Sequence, residues 1–485
     1  MANNKNVIIK DIFWYLIGNI APLIVGLIKS PIYTRIFSTE DYGAYSLVFL
    51  IFSYLSIICY SWIVSCAWRF YYQYKQKNSL DILYSNLTFL YLLFSFVIFI
   101  FSCVWIGTSG NMLVKKLIFW CFLQFFTSEI SGLFFIRPRL EGKTFYYNMI
   151  QTVRAIGNFG LLLLLTFVFD FGIEAFLISN IVFNVIIIAF IVIPDYFRMK
   201  LSPRLIYKKE LIVLYKYGQI GIVINICTTL LVSSDRFIIQ YFTGLSEVGI
   251  YNQNYNVAQI SIAMLIQVFW ATLNPYLLPV MEFRPPNMKQ QIYEFFKMYC
   301  HCFTPITLYF VLYAQNIAEI MLGEDFRIGY SVILWTAVGE FVSGLCFLNI
   351  SNLKFKNELK ILSGAFILAL TVNIILNVIL IPLLGYQIAA ITTVAANLLL
   401  LLIFRYKNPE IECYSVLFKS RNFKYCILLL SVQTGIHFLS RHYSLPNTYY
   451  IIEGVLFCII YAFIAIKNKW INLNKIQLLH ETCMN

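Results

Sequence analysis

Three ionisable side chains lie deep inside long apolar runs, where a charge is costly and a functional role is the usual reason for its presence. Arg154 follows Lys143 by 11 residues, which is about 16 Å along a helix and near the middle of a bilayer. Glu340 lies about 12 residues into a later run, and Glu129 lies about eight residues before Arg137. A guanidinium can bind an anion there, and a carboxyl can take up and release a proton. The alternative is that a carboxyl only pairs with Arg154 and joins two helices.

Two further arginines, Arg35 and Arg236, occupy corresponding positions near the ends of two apolar runs. Guanidinium groups match phosphate oxygens in a bidentate geometry, so two of them facing one cavity could hold a pyrophosphate. The alternative is that each anchors a membrane interface and is bound by its own acidic neighbour, Glu40 or Asp41 for Arg35 and Asp235 for Arg236. Both interpretations stay open at this stage.

The remaining candidates are one cation and two amides. Arg69 ends the second apolar run, where it could meet an incoming head group or only extend its side chain to water. Asn19, in the first run, could face a cavity, or its stretch could serve in ordinary helix packing, and Asn225, in the seventh run, could contact sugar hydroxyls. The candidate substrate-binding residues are therefore Arg154, Arg35, Arg236, Arg69, Asn19 and Asn225, and the candidate ion-coupling residues are Glu340, Glu129 and Asp235.

The runs that hold these residues are long enough to cross a membrane. The 485-residue chain is 60% hydrophobic and 12% charged, which is more apolar surface than a soluble domain can bury. We predict an all-α integral membrane protein with about fourteen transmembrane helices, at residues 12–34, 43–68, 84–106, 117–136, 147–169, 173–194, 217–234, 249–272, 298–322, 328–350, 361–384, 386–404, 425–440 and 450–466.

Lysine and arginine are distributed unevenly between alternate connections. With the N-terminus in the cytoplasm, about four fifths of the 36 lysines and arginines fall in cytoplasmic segments, and Lys29, Arg35 and Arg236 are among the few on the opposite side. This bias predicts that both termini are cytoplasmic. The net charge of +13 is explained by this positional bias, which sets membrane topology. We therefore expect no nucleic-acid partner. The cysteines show no zinc spacing, and we expect neither a metal site nor another cofactor.

The two halves of the chain echo each other. The matched positions lie roughly 200 to 213 residues apart, and they are Gly18 with Gly218, Arg35 with Arg236, 43–45 with 249–251, 131–133 with 343–345, Lys143 with Lys356, and Gly172 with Gly385. Six helices per repeat preserve the orientation of the copy, so the repeats are parallel. We predict two six-helix bundles around a central cavity, in residues 1–200 and 201–404, followed by two extra helices and a cytoplasmic tail in residues 405–485.

The same segments resemble a known family. Residues 30–43, Ser-Pro-Ile-Tyr-Thr-Arg-Ile-Phe-Ser-Thr-Glu-Asp-Tyr-Gly, look like the end of the first helix in polysaccharide (O-antigen) flippases. Residues 235–239, followed by residues 248–252, are similar to that family's seventh-helix signature. A looser pattern resembles its eleventh and twelfth helices and consists of Asn373, Asn377, Ile381, Pro382, Gly385, Ala389 and Ala390.

The resemblance implies a place in the multidrug/oligosaccharidyl-lipid/polysaccharide (MOP) exporter superfamily. It implies alternating access and transfer of an undecaprenyl-pyrophosphate-linked oligosaccharide from the cytoplasmic to the periplasmic leaflet of the bacterial inner membrane. The cargo would be a repeat unit of O-antigen, as in lipopolysaccharide biosynthesis, or of capsule or exopolysaccharide. Membrane lipids and polysaccharide polymerase or chain-length proteins are the other expected partners, and protons or sodium ions are the expected coupling ions.

Other activities fit the sequence less well. A multidrug or organic-cation antiporter of the same superfamily would favour acidic cavity residues, whereas Arg35, Arg154 and Arg236 are basic. A membrane glycosyltransferase, polymerase or ligase would need catalytic groups on a sizeable outer loop, and the predicted outer connections are short. We therefore expect a transporter and not an enzyme, and a channel would need a filter segment that the sequence lacks.

Overall fold

The computed structural model describes residues 22–411, 421–442, 445–468 and 470, and the long regular elements in these ranges are all helices. The chain divides into two compact units. Of the described residues, unit 1 contains 22–29 and Glu40–Thr229, and unit 2 contains Ser30–Thr39 and the residues from Leu230 onward. The repeat boundaries given above concern sequence correspondence and stay predictions.

Unit 1 is a helical bundle in which α5 packs against α4 and α7, and α6 packs against α5 and α7. The helices, of which α1 and α9 end in unit 2, are α1 (Pro22–Tyr33), α2 (Thr39–Cys59), α3 (Ser61–Gln76), α4 (Leu80–Thr108), α5 (Met112–Leu140), α6 (Thr144–Phe167), α7 (Ala175–Ile187), α8 (Ile193–Arg198) and α9 (Lys208–Ser233).

Unit 2 is built around α14, which packs against α13, α16 and α11, while the last described helix packs against α13. Its helices are α10 (Asp235–Phe242), α11 (Leu245–Ala258), α12 (Met264–Phe283), α13 (Met288–Met321), α14 (Tyr330–Phe355), α15 (Leu359–Leu384), α16 (Ile388–Lys407), α17 (Arg421–Arg441) and α18 (Asn447–Lys467).

Twelve helical stretches of the described residues are long and apolar enough to span a membrane, and each coincides with one of the fourteen predicted spans. The first predicted span begins outside the described residues, and α1 is its described part. The span predicted at 425–440 is helical as α17. It is not among the twelve.

The helices of unit 1 turn apolar side chains outward and small polar side chains inward. On α4, Phe96 and Val104 are each 62% exposed, while Asn86, Ser95 and Ser102 are buried. The hydroxyl of Ser95 donates to the carbonyl of Tyr91 at 2.7 Å, so the buried polar group is satisfied within its own helix. This arrangement suits a bundle whose surroundings are lipid, where small residues allow helices to pack closely.

One spanning helix changes its winding part-way. A π-helical segment, Ile188–Val192, joins α7 to α8. Pro194, the second residue of α8, has no N–H to donate to the carbonyl of Phe190, so the regular α-helical bond is lost at this turn. Phe190 is 76% exposed on the bulge. A second π-helical segment, Gln259–Ala263, joins α11 to α12.

Candidate functional site

Arg154 lies on α6 and is bound by an amide group of a neighbouring helix. Its Nη2 donates to Oδ1 of Asn184 on α7 at 2.6 Å. The amide nitrogen of Asn184 in turn donates to Oγ1 of Thr127 on α5 at 3.3 Å. Asn184 is fully buried, so this contact fixes the guanidinium inside unit 1.

A second contact of the same kind lies one helical turn away. Lys29 of α1 donates from Nζ to Oδ1 of Asn158 on α6 at 3.0 Å. Asn158 donates to Oδ1 of Asn180 on α7, also at 3.0 Å. Asn158 follows Arg154 by four residues and Asn180 precedes Asn184 by four, so the two contacts lie about 6 Å apart along the helices.

These two cations keep their positive charge unneutralised inside the unit. Among the described residues, neither Lys29 nor Arg154 forms an ion pair. The carboxylate of Glu129 accepts a hydrogen bond from Ser56 at 2.5 Å, so pairing of this carboxyl with Arg154 is not what the structure shows. An amide oxygen satisfies a cationic hydrogen without cancelling its charge, so the site favours an anion.

Helices α6 and α7 lie close enough for side chains of α6 to bond to side chains of α7 in both contacts. A side chain at Gly157 would place its Cβ 2.4 Å from Cζ of Phe183, so the ring occupies the space that glycine leaves. Gly157 lies between Arg154 and Asn158 on α6. The glycine therefore sets the helix separation at which Arg154 reaches Asn184 and Asn158 reaches Asn180.

Arg236, in contrast, is neutralised by a carboxylate. Its Nη1 lies 3.3 Å from Oδ1 of Asp235, and its Nε donates to Oδ1 of Asn252 at 2.8 Å. The other carboxylate oxygen of Asp235 accepts from the hydroxyl of Tyr251. The guanidinium also lies 4.6 Å from the ring centre of Tyr255. Of the two interpretations left open above, the structure shows the pairing of Arg236 with its acidic neighbour.

Glu340 lies half-buried on α14 of unit 2, close enough to the hydroxyls of Tyr255 and Tyr299 to interact with them electrostatically. None of the hydrogen bonds found among the described residues involves its carboxyl. The guanidinium of Arg236 lies over the ring of Tyr255, so Glu340 and Arg236 both act electrostatically on this phenol.

The other candidates are dispersed. Arg35 donates to the carbonyls of Pro31 and Ile320, the latter at 3.1 Å, within unit 2. Arg69 is exposed on α3, and Asn225 is exposed on α9. Asn19 lies outside the described residues.

Lys29 is the site residue that sequence reasoning missed. The charge distribution counted it among the cations of the outer side, although the first predicted span, 12–34, includes it. In the structure it lies within α1 and bonds to α6. The sequence did contain a signal for Lys29. The run that ends at Tyr33 is apolar apart from Lys29 and Ser30, so Lys29 is a cation within a spanning helix.

Comparison with known proteins places this arrangement in a family. Residues 8–281, more than half of the chain, match the family described as polysaccharide biosynthesis protein. The chain belongs to this family. An uncharacterized membrane protein of Methanocaldococcus jannaschii is 22% identical over 427 residues, which cover 80% of this chain and 82% of that protein.

Solved structures share the fold of this family member. The lipid II flippase MurJ in an inward closed conformation superposes with a TM-score of 0.66 at 13% identity, covering 94% of this chain and 99% of MurJ. The MATE transporter VcmN of Vibrio cholerae superposes with a TM-score of 0.55 at 14% identity, covering 84% of this chain and 97% of VcmN. At this identity the likeness concerns the fold, which is that of MOP-superfamily transporters.

Proposed function

We propose that this family member flips an undecaprenyl-pyrophosphate-linked oligosaccharide from the cytoplasmic to the periplasmic leaflet by alternating access. The observation that carries the proposal is the ligation of Lys29 and Arg154 by neutral amides inside unit 1. Both cations are half-buried in a membrane protein without a counter-ion among the described residues, which is expensive, and an anionic cargo that arrives transiently would offset that cost.

The family description and the fold of a lipid II flippase support a lipid-linked saccharide as the cargo. Its pyrophosphate carries the charge that Lys29 and Arg154 would bind, while the polyprenyl chain stays in lipid. The repeat unit would come from O-antigen, capsule or exopolysaccharide. In this proposal the protein works in the bacterial inner membrane with both termini cytoplasmic, beside polymerase and chain-length proteins.

We further propose that a proton or sodium gradient drives the cycle through Glu340. Glu129 accepts from Ser56, and Asp235 is held by Arg236 and Tyr251. Glu340 differs from both, because its carboxyl lies near two phenols without a hydrogen bond to the described residues. A carboxyl in such surroundings can change its protonation as the surroundings change.

The test is transbilayer movement of a fluorescent, short oligosaccharide linked to a polyprenyl pyrophosphate in proteoliposomes. Wild type would be compared with Arg154→Gln and Lys29→Gln, and with Arg69→Gln as the control, because Arg69 is an exposed cation outside the two contacts. Thermal unfolding in detergent verifies that each variant folds. Since each lost charge-assisted contact is worth about 1.4 kcal/mol or more, we expect transport to fall roughly tenfold or more in the first two variants and little in the third.

Two results would contradict the proposal. Efflux of an organic cation, with no movement of several pyrophosphate-linked lipids, would favour the antiporter. Full transport by both Arg154→Gln and Lys29→Gln would keep the flippase activity but remove the two cations from its mechanism.

A further inference from the structure

A basic pocket, called the mouth below, lies where α5 and α8 end and α6 begins. This is the side of the membrane predicted to be cytoplasmic. It is a cavity of about 460 Å³ whose charged lining residues are Arg137, Lys143, Arg198, Glu141 and Asp195. Arg137 bonds to Glu141 at 2.7 Å and to Asp195 at 2.5 Å. Lys143 bonds to the other oxygen of Glu141 at 2.8 Å.

Three cations and two carboxylates leave this mouth with a surplus of one positive charge. Both carboxylates are occupied by Arg137 and Lys143, and Arg198 is exposed and forms no ion pair with the described residues. Lys143 bonds to Glu141, but its side chain is 60% exposed, so its other ammonium hydrogens can reach a ligand. The two groups could contact one phosphate while the internal salt bridges persist.

An apolar groove of about 370 Å³ continues from the mouth between α6 and the helix formed by α7, the π segment and α8. The mouth and the groove share Tyr146, Phe190 and Ile191. Phe190 and Ile191 lie on the π segment, so the bulge supplies the wall at which polar lining changes to apolar lining. Beyond it the groove is lined mainly by Met149, Val153 and Ile186, each exposed.

The length of the groove matches one leaflet. From Tyr146 to Arg154 the helix rises about 12 Å, and one leaflet has a hydrocarbon depth of roughly 15 Å. Arg154, whose guanidinium is bonded to Asn184, ends the groove and is its only charged lining residue. The cations of the mouth, at the predicted membrane surface, suit a phosphate group, and the apolar lining of the groove suits an acyl chain. Together they match a phospholipid.

We propose that unit 1 binds an anionic glycerophospholipid, with its phosphate at Lys143 and Arg198 and one acyl chain along the α6–α7 groove. The single surplus charge of the mouth matches a phosphodiester better than a pyrophosphate, which favours a resident membrane lipid over the cargo. The phosphate position at Lys143 and Arg198 is separate from the Lys29–Asn158 and Arg154–Asn184 contacts, and only the far end of the groove reaches Arg154. Binding of this lipid therefore does not depend on the proposed function.

The experiment is native mass spectrometry of the full chain released from nanodiscs that contain phosphatidylglycerol or phosphatidylcholine. The charge variant is Lys143→Ala/Arg198→Ala. Its matched control is Lys115→Ala/Lys116→Ala, which removes two cations at the opposite end of the same bundle. The groove variant is Met149→Trp, which fills the apolar lining and leaves the mouth charges in place.

We expect wild type and the Lys115/Lys116 variant to retain phosphatidylglycerol in preference to phosphatidylcholine. Retention should fall about fivefold for each cation removed at the mouth, the equivalent of about 1 kcal/mol each. Met149→Trp should weaken retention of phosphatidylglycerol at unchanged charge.

Equal retention of the two lipids by wild type, or no effect of the mouth substitutions, would overturn the proposal. Displacement of phosphatidylglycerol by a polyprenyl pyrophosphate would assign the site to cargo instead. Transport assays of the same variants test the flippase separately.

Discussion

At the scale of single residues, the ligands of Arg154 and Arg236 decide what each arginine can do. Arg236 contacts Asp235, so their charges cancel inside unit 2 and the pair serves the packing of α10 and α11. Arg154 contacts Asn184 and keeps its charge. Residue type alone does not separate these two roles, because Arg154 lies within an apolar run and Arg236 lies just beyond the end of one.

The depth of Arg154 could be predicted from the sequence, since the distance from the end of a helix follows from residue count. Its ligand could not be predicted. Asn184 lies 30 residues away and meets Arg154 only because α6 and α7 are antiparallel and closely packed. Lys29 was missed because a cation near the end of a span is usually an interface residue, and only the contact with Asn158 distinguishes it.

The carboxylate of Glu141, in the connection between α5 and α6, gives a prediction about pH. Burial opposes its ionisation, but hydrogen bonds from Lys143 and Arg137 and their charges outweigh burial and lower its pKa from 4.5 to about 2. A carboxylate with a lowered pKa stabilises the fold above its unfolded pKa, and this contribution is lost as the pH falls through the folded pKa.

We therefore expect Glu141→Gln to lower the thermal unfolding temperature in detergent by a constant amount above pH 5. The difference from wild type should shrink below about pH 4.5 and vanish near pH 2. Unfolding curves at several pH values for both proteins measure this. A difference that is unchanged between pH 5 and pH 3 would contradict the assigned salt bridges.

At the scale of helices, the existence of the spans was predictable and their irregularities were not. Apolar runs of sufficient length identified the twelve described spans, because the bilayer imposes one length on all of them. Pro194 was visible in the sequence, but whether a proline produces a kink, a π segment or a break depends on neighbouring helices. The π segment matters here because it forms the wall of the groove.

Two glycines that correspond in the sequence repeat have different surroundings. A Cβ at Gly344 on α14 would lie 2.0 Å from the hydroxyl oxygen of Tyr299. That ring cannot easily move, because it is fully buried, donates to the carbonyl of Phe341 at 2.8 Å and stacks on Trp270. A Cβ at Gly132 on α5 would meet open space.

We expect Gly344→Ala to destabilise unit 2 by about 1–3 kcal/mol, the usual cost of overpacking a filled core. Gly132→Ala is the matched control and should be neutral or slightly stabilising, since alanine favours the helix. Thermal unfolding of both variants in the same detergent provides the measurement. Equal unfolding temperatures would show that α13 and α14 can separate without cost.

At the scale of the whole molecule, the sequence predicted an all-helical membrane protein, and the family match and the shared fold confirm it. The fold alone does not define the cargo, because MurJ and the MATE transporters share it. In our proposal the distinction comes from unit 1, since unneutralised cations suit an anionic cargo and disfavour an organic cation.

The most direct test of this account adds one negative charge beside Arg154 without removing its contact. Asn184→Asp keeps the size of the side chain and gives Arg154 a carboxylate partner, and Asn225→Asp makes the same change at an exposed position. The measurement is the binding of a polyprenyl-pyrophosphate-linked oligosaccharide, and of the uncharged polyprenol, to the purified protein.

We predict that Asn184→Asp weakens binding of the pyrophosphate-linked lipid about tenfold, the equivalent of one charge-assisted contact, while binding of the uncharged polyprenol stays the same. Asn225→Asp should bind both as wild type does. Undiminished binding of the pyrophosphate-linked lipid by Asn184→Asp would contradict the claim that the positive charge of unit 1 holds the cargo.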